Sequence, residues 1–464
     1  MSHEAEKHPL PGSDSEDITV SNGSSIALAG DKVETRADRN TASPTELENV
    51  AAPIPAPQGG PGPPPDGGLV AWLHVVGGFM LFFNTWGILN AFGVFQTYYE
   101  RPGTMFDRSS SDISWIGSIQ SFMVLLGGVF AGPIYDRGYL RELLIIGSFG
   151  IVFGHMMLSL CSQYWQVILA QGLCVGLGAG MLFVPCVSLI PTYFTTKLGL
   201  AVGLASSGSS VGGVIYPIVL SRLLNTIGYA WSVRVMGFIA LGTLLIPIAV
   251  MRIRVRAPKP RSMIDWSAFS DFPYMVFTAT TFIGFMGLGI LIFYISYYPE
   301  EQGLTDETLS FYMVPIFNAA SCFGRVLPNA LSDKVGPFNV IGPCTLITGV
   351  LMICMMAAHS RGAVIAVTAL AGFFSGVFIA MPPVCFFPLT KDKSKLGTRI
   401  GMGFGIIAVG LLIGSPIGGA ILGGTKPLRW AGLWGFGGGA ATLAGLLYTA
   451  LRIYRSGIAL NIKA

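Results

Sequence analysis

The chain carries one loop twice. Gly132-Pro-Ile-Tyr-Asp136-Arg137-Gly138 returns as Asn329-Ala-Leu-Ser-Asp333-Lys334-Val335-Gly336, with the two acids 197 residues apart. Each copy follows an apolar stretch and opens a short charged loop before the next. Other matches keep nearly the same offset. Gly172-Leu-Cys-Val-Gly176 pairs with Gly372-Phe-Phe-Ser-Gly376, Val184-Pro185 with Pro382-Pro383, and Ser209-Ser-Val-Gly-Gly213 with Ser415-Pro-Ile-Gly-Gly419. A repeat of this length in apolar sequence predicts two helical bundles of one topology.

Composition says what surrounds those bundles. Hydrophobic residues make up 52% and charged residues 11%, where a soluble domain carries roughly 25% charge. Too few charges remain to cover a soluble surface, so lipid is the expected solvent. A net charge of +4 gives no nucleic-acid footprint. The seven cysteines all fall in apolar segments and form no C-x-x-C pair, which reads as free thiols packed between helices. Residues 1–65 are rich in Ser, Glu, Asp, Pro and Gly and hold no apolar run, so they read as a disordered tail rather than a signal peptide.

A bilayer needs about 20 apolar residues per helix. Twelve stretches qualify: 70–98, 112–133, 142–162, 164–190, 199–225, 230–251, 274–298, 307–331, 338–358, 361–388, 399–423 and 428–453. With the N-terminus in the cytoplasm, 20 of the 28 Lys and Arg lie inside, 7 lie outside and Arg325 falls in a helix. That bias predicts cytoplasmic termini. The expected fold is an all-α membrane protein with twelve transmembrane helices in two six-helix pseudo-symmetric bundles. Its expected parts are a disordered cytoplasmic tail (1–65), a first bundle (66–251), a cytoplasmic linker (252–273), a second bundle (274–455) and a short cytoplasmic tail (456–464).

Several residues carry chemistry by their position. Asp136-Arg137 and Asp333-Lys334 put an acid and a base at equivalent helix ends. An acid there can bind a base or a helix N-terminus of the other bundle and latch one conformation. Gly203, Gly208 and Gly212 give the fifth helix a smooth face for close packing, as a sliding contact requires. Arg325 lies eight residues before Asp333, about 12 Å along a helix. That places it near the bilayer midplane, where a charge marks function by default. Asn318, Ser321 and Arg325 share a helix face; Asn84 and Asn90 on the first helix and Tyr294 closing the seventh are further candidates to line a solute site. Phe82, Phe83, Trp86 and Phe92 add aromatic bulk. No acid lies deep in a helix, and the intramembrane histidines His74 and His155 read as packed.

The paired Asp loops resemble the signature between helices two and three of the major facilitator superfamily. Two further stretches resemble the monocarboxylate porter family in its fungal form. One is Asp66-Gly-Gly-Leu-Val-Ala-Trp72, read as a cap or turn into the first helix with Trp72 at the interface. The other runs Tyr193-Phe194-Thr-Thr-Lys197-Leu-Gly-Leu-Ala201-Val-Gly203-Leu-Ala205-Ser-Ser-Gly208-Ser209. The resemblance covers about residues 64–455 and implies that Arg325 acts near a substrate anion. The chain departs from the animal members, with Asn90 in place of a helix-one lysine and Ser321 in place of an acid before the helix-eight arginine. Those departures weigh against strict proton coupling.

The resemblance implies a transporter that moves a small organic solute, a monocarboxylate-like anion or an amphipathic metabolite, by alternating access. Efflux of a secondary metabolite is favoured. Uptake of a monocarboxylate or vitamin-like nutrient is the alternative, and a nutrient sensor on a transporter scaffold is the reading from another class. No nucleophile or metal cluster argues for an enzyme, and the glycine runs Gly401-Met-Gly-Phe-Gly405 and Gly435-Phe-Gly-Gly438 lack the strand and acid of a nucleotide loop. No cofactor or metal is expected. The expected partners are a small-molecule substrate and the lipid bilayer, with no nucleic acid, in a multi-pass plasma-membrane protein that is a monomer.

Overall fold

A computed structural model describes residues 62, 64–100, 103, 105–254, 264–392, 395–423 and 427–458, without the side chains of 110, 111 and 136. Most of the expected N-terminal tail, the middle of the linker and the last six residues therefore lie outside the described residues. So does the side chain of Asp136.

The described residues form helices and no strand. Ten helical stretches are long and apolar enough to cross a membrane. Two more long helices, Glu307–Val335 and Trp430–Ser456, complete the twelve. These two are less apolar for identifiable reasons: the first carries Asn318, Arg325, Asn329 and Asp333, the second Arg452 and Arg455. In chain order the long helices are α1 (Leu69–Leu89), α2 (Ser110–Asp136), α3 (Leu140–Leu158), α4 (Tyr164–Thr192), α5 (Leu198–Leu224) and α6 (Gly228–Val250). The second six are α7 (Phe272–Tyr294), α8 (Glu307–Val335), α9 (Phe338–Cys354), α10 (Arg361–Leu389), α11 (Leu396–Leu422) and α12 (Trp430–Ser456).

The first expected span, 70–98, is not one helix. α1 stops at Leu89, and a short helix resumes at Phe92. The Asn90 side chain donates to the Trp86 carbonyl at 2.7 Å, competing with the backbone where the helix breaks.

The repeat seen in the sequence is a repeat of packing. α1 packs on α5 as α7 packs on α11, α2 on α4 as α8 on α10, and α3 on α6 as α9 on α12. The repeated glycines make this possible. Gly172 and Gly176 of α4 lie against Ile119 and Gln120 of α2, and Gly372 and Gly376 of α10 lie against Phe317 and Ser321 of α8. Both Asp loops also turn alike, since Gly138 (φ 97°) and Gly336 (φ 99°) take the left-handed backbone that ends a helix. The copies are not identical: α4 contains a π-helical stretch, Ile168–Val175, whereas the matching part of α10 is α-helical.

Between the halves, two helix pairs make the most extensive contact: α5 with α8, and α11 with α2. The repeat turns one of these pairs into the other.

Candidate functional site between the two halves

The α5–α8 contact is built from small residues on one side and polar ones on the other. A methyl group at Gly199 would run into the Asn329 carbonyl, and one at Gly203 into the Arg325 carbonyl. The two helices touch backbone to backbone. At the end of this contact the Asp333 carboxylate accepts from the amides of Gly199 at 2.6 Å and Leu200 at 2.9 Å. These are free donors of the first turn of α5, at the positive end of its dipole. Lys334 and Arg137 are exposed and make no ion pair among the described residues. The acid of the second loop therefore binds a helix end.

The second contact repeats the first. Lys197-Leu198-Gly199 with Gly203 has its copy in Lys395-Leu396-Gly397 with Gly401. Gly397 lies beside Gly132, and Gly401 beside Gly128 and Val129 of α2. This Lys-Leu-Gly-x-x-x-Gly pair was a further signal in the sequence, at an offset of 198 residues.

The expected glycine face of α5 is divided. Only Gly203 of the three faces α8. Gly208 and Gly212 are turned to α1, against the Phe79 and Phe83 carbonyls. Five residues separate Gly203 from Gly208, and a 3.6-residue turn carries the later two to another side. Gly213 faces α8 instead, and its notch is filled by the Asn318 amide.

Arg325 is 5% exposed in the middle of α8. Its Nε donates to Ser321 Oγ and its Nη1 to the Ser206 carbonyl of α5, both at 3.3 Å. Among the described residues it has no carboxylate partner. A buried charge held only by long, neutral hydrogen bonds is under-compensated, and desolvating such an ion costs several kcal/mol, roughly. One turn on, Asn329 donates to the Arg325 carbonyl at 2.6 Å while its own Oδ1 is buried without a partner.

Asn318 donates to Asn90 Oδ1 at 3.3 Å, so α8 reaches the break after α1. Asn90, Asn318, Ser321 and Arg325 therefore lie along one seam. Asn84 does not join them. It accepts from Tyr216 at 2.7 Å and donates to Thr243 at 2.8 Å, inside the α1–α5–α6 packing. Tyr294 points its hydroxyl at Gly419 of α11 rather than toward Arg325.

Aromatic rings cross the other seam. Phe183 of α4 and Phe404 of α11 meet edge to face at 5.1 Å, with Phe82 and Trp86 on the first-half side and Phe386 on the second. Phe83 packs inward on Tyr216 with its ring tilted by 45°, and Phe92 fills the space over Gly117.

The two family-like stretches meet in space. Asp66 does not cap α1, whose N-cap Gly68 has no side-chain bond. Its carboxylate accepts from the Thr195 amide at 2.5 Å, the Thr196 amide at 2.9 Å and the Thr195 hydroxyl at 2.6 Å. Burial pushes this carboxyl up, but those bonds outweigh it and hold it below its usual value. Trp72 packs on Phe194 at 5.1 Å. His74 stacks on Tyr193 at 4.1 Å and bonds the Arg252 backbone, tying α1 to the ends of α4 and α6, whereas His155 is buried and bonds the Ile151 carbonyl of its own helix.

One cluster was missed in the sequence. Asp265, 6% exposed, pairs with Arg399 at 3.0 Å and Lys395 at 3.1 Å, and Arg399 also pairs with Asp271 at 2.8 Å. Burial pushes the Asp265 carboxyl up; hydrogen bonds from Ser267, Arg399 and Lys395 win and hold it far below the carboxylate range. In the sequence Arg399 and Lys395 stand out only as part of the basic bias toward one side. Their partners come from the segment before α7, 128 to 134 residues away.

A family model described as Major Facilitator Superfamily matches residues 75–342 and 277–457. The chain is 64% identical over 382 residues to the MFS-type transporter dbaD of Emericella nidulans, covering 82% of this chain and 86% of that one. It is 37% identical over 377 residues to the aspyridones efflux protein apdF of the same organism, covering 81% and 76%. Among solved structures, the human organic anion transporter MFSD10 (TETRAN) superposes with a TM-score of 0.63 at 13% identity, covering 82% of this chain and 98% of that one. FucP in its outward conformation gives 0.61 at 15% identity, covering 83% and 98%. These last two share the fold.

Proposed function

This chain belongs to the Major Facilitator Superfamily, and from that premise we propose that it exports a small amphipathic organic anion, a secondary metabolite, by alternating access. The observation that carries the reading is Arg325, a buried cation on the seam between the halves with no carboxylate of its own. An anionic solute group is the natural counter-charge. Rings along the Phe183–Phe404 seam suit an apolar or aromatic body on the same solute. Export is favoured because a 37% identical relative is named an efflux protein.

We place the chain with the monocarboxylate porters of fungal type on the joining of Asp66 to Thr195 and Thr196, where two family-like stretches meet. The tail, the linker and the Asp loops face the cytoplasm in this reading, which follows the charge bias of the sequence. The Asp333–Gly199 contact then shuts the cytoplasmic end of the described conformation. The protein acts as a monomer in the plasma membrane, and its first bundle (66–251) and second bundle (274–455) rock about the two seams.

The test is deletion of the gene in its fungus, with comparison of small molecules in medium and mycelium. A metabolite should shift from medium to mycelium and return on complementation by the wild-type chain but not by Arg325→Ala. Unchanged partition of every metabolite would refute export, and starvation on one carboxylate would then probe uptake.

A further inference from the structure

The Asp loops are not the only repeated acids. Asp265 follows Asp66 by 199 residues, and each precedes the first helix of its half. Asp66 holds the backbone of Thr195 and Thr196, just before Lys197-Leu198-Gly199. Asp265 holds Lys395 and Arg399, either side of Leu396-Gly397. The partners differ, two amides and a hydroxyl in one half and two cations in the other. The target is the same: the start of the fifth helix of that half.

That start is where the halves meet. Gly199 and Leu200 donate to Asp333 from the opposite half, and Gly397 lies on Gly132. We infer that Asp66 and Asp265 are positioning residues, in-half clasps that hold the starts of α5 and α11 rigid so that the cross-half latch can open and close without refolding them. The inference rests on the alternating-access reading. In each half the clasp carboxylate comes from the same half and stays bound during rocking, while the latch partner comes from the other half and must let go. When Asp333 leaves, two amides lose their acceptor. With the preceding turn still pinned by Asp66, they stay aimed at the place where Asp333 returns.

The two members carry different signs of interaction for a physical reason. The Thr195–Thr196 turn is exposed, so backbone amides suffice there. Asp265 is buried, and a buried carboxylate needs full charge compensation.

The experiment is amide hydrogen exchange read by mass spectrometry on the full chain in lipid nanodiscs, with no solute added. Asp66→Ala and Asp333→Asn are each expected to speed exchange of the amides at 198–202 by about tenfold, as local opening becomes easier. The double variant is expected to exchange faster than either single variant, because Asp66 still pins the start of α5 once Asp333 has let go. A double variant no faster than Asp333→Asn alone would show that Asp66 does nothing once the latch is open and overturn the proposal, as would an unchanged rate in Asp66→Ala. Asp66→Asn, which keeps one acceptor oxygen, serves where the alanine variant does not fold, with an intermediate rate expected. In the second half, Asp265→Asn is expected to speed exchange at 396–400. Faster exchange confined to 264–271 would sink that half of the claim. Exchange reports on the clasp whether or not a solute moves, so failure of the transport reading leaves a different pattern from failure here.

Discussion

The Asp333 carboxylate lies 2.6 Å from the amide nitrogen of Gly199, an acid of one half capping a helix of the other. Its second oxygen takes Leu200. A charge-assisted pair of this kind at a helix start is worth roughly 1.5–3 kcal/mol per bond to a charged group.

Asp333→Asn should therefore lower the latched population by about tenfold or more. The maximal transport rate should fall and the apparent solute affinity should change only by the competent fraction. The same kinetics are expected of Asp136→Asn from the repeat. A large, solute-dependent affinity change in either variant would place that acid in the binding site instead.

Gly199→Ala should weaken the same contact by crowding. The added methyl meets the Asn329 carbonyl, and overpacking of this kind costs about 1–3 kcal/mol. Alanine favours an isolated helix by about 1 kcal/mol over glycine, so α5 itself is not weakened. A cysteine at buried Ser332 should then react faster with a water-soluble maleimide. Equal labelling in both backgrounds would mean that the contact tolerates the methyl.

Arg325→Ala should cut transport by about tenfold or more while leaving membrane delivery intact. Arg325→Lys should restore only part, because an ammonium lacks the planar fork that grips a carboxylate. Normal transport by the alanine variant would make Arg325 a structural residue held by Ser206 and Ser321.

The Asp265 cluster predicts a pH dependence of stability. Its folded carboxyl lies below the ordinary value of 3.8. The stabilisation is thus complete above that value and lost as pH falls below it toward the folded one. The melting temperature of the purified protein should drop as pH is taken from about 5 to 3. In Asp265→Asn it should start lower and depend less on pH over that window. Parallel curves for the two proteins would assign the acid sensitivity elsewhere.

Transport should not be strictly proton-driven. Among the described residues the acids lie at helix ends or in loops, and His74 and His155 are tied into helix packing. In proteoliposomes a gradient of a permanently charged or neutral solute should drive flux by itself. Uphill accumulation driven by an imposed pH gradient, and lost on mutation of either histidine, would contradict this.

How much of this was legible in the chain follows from what each signal is made of. The two-bundle plan was, because the Asp136 and Asp333 loops and the paired glycines repeat in order, and a repeat of sequence in lipid is a repeat of packing. Arg325 stood out because a charge in an apolar run is rare. Helical periodicity also put Asn318, Ser321 and Arg325 on one face. Periodicity could not say which helix would approach that face. Gly203 meets α8 while Gly208 and Gly212 meet α1, and Asn84 turns to Tyr216 rather than to Arg325. Tertiary structure alone decided the partners of the acids. Asp66 and Asp333 bind backbone amides, which every residue but proline carries, so no side chain in the sequence announces them. Asp265 and Arg399 do carry matching charges, yet they are separated by 134 residues and come together only when α7 packs on α11.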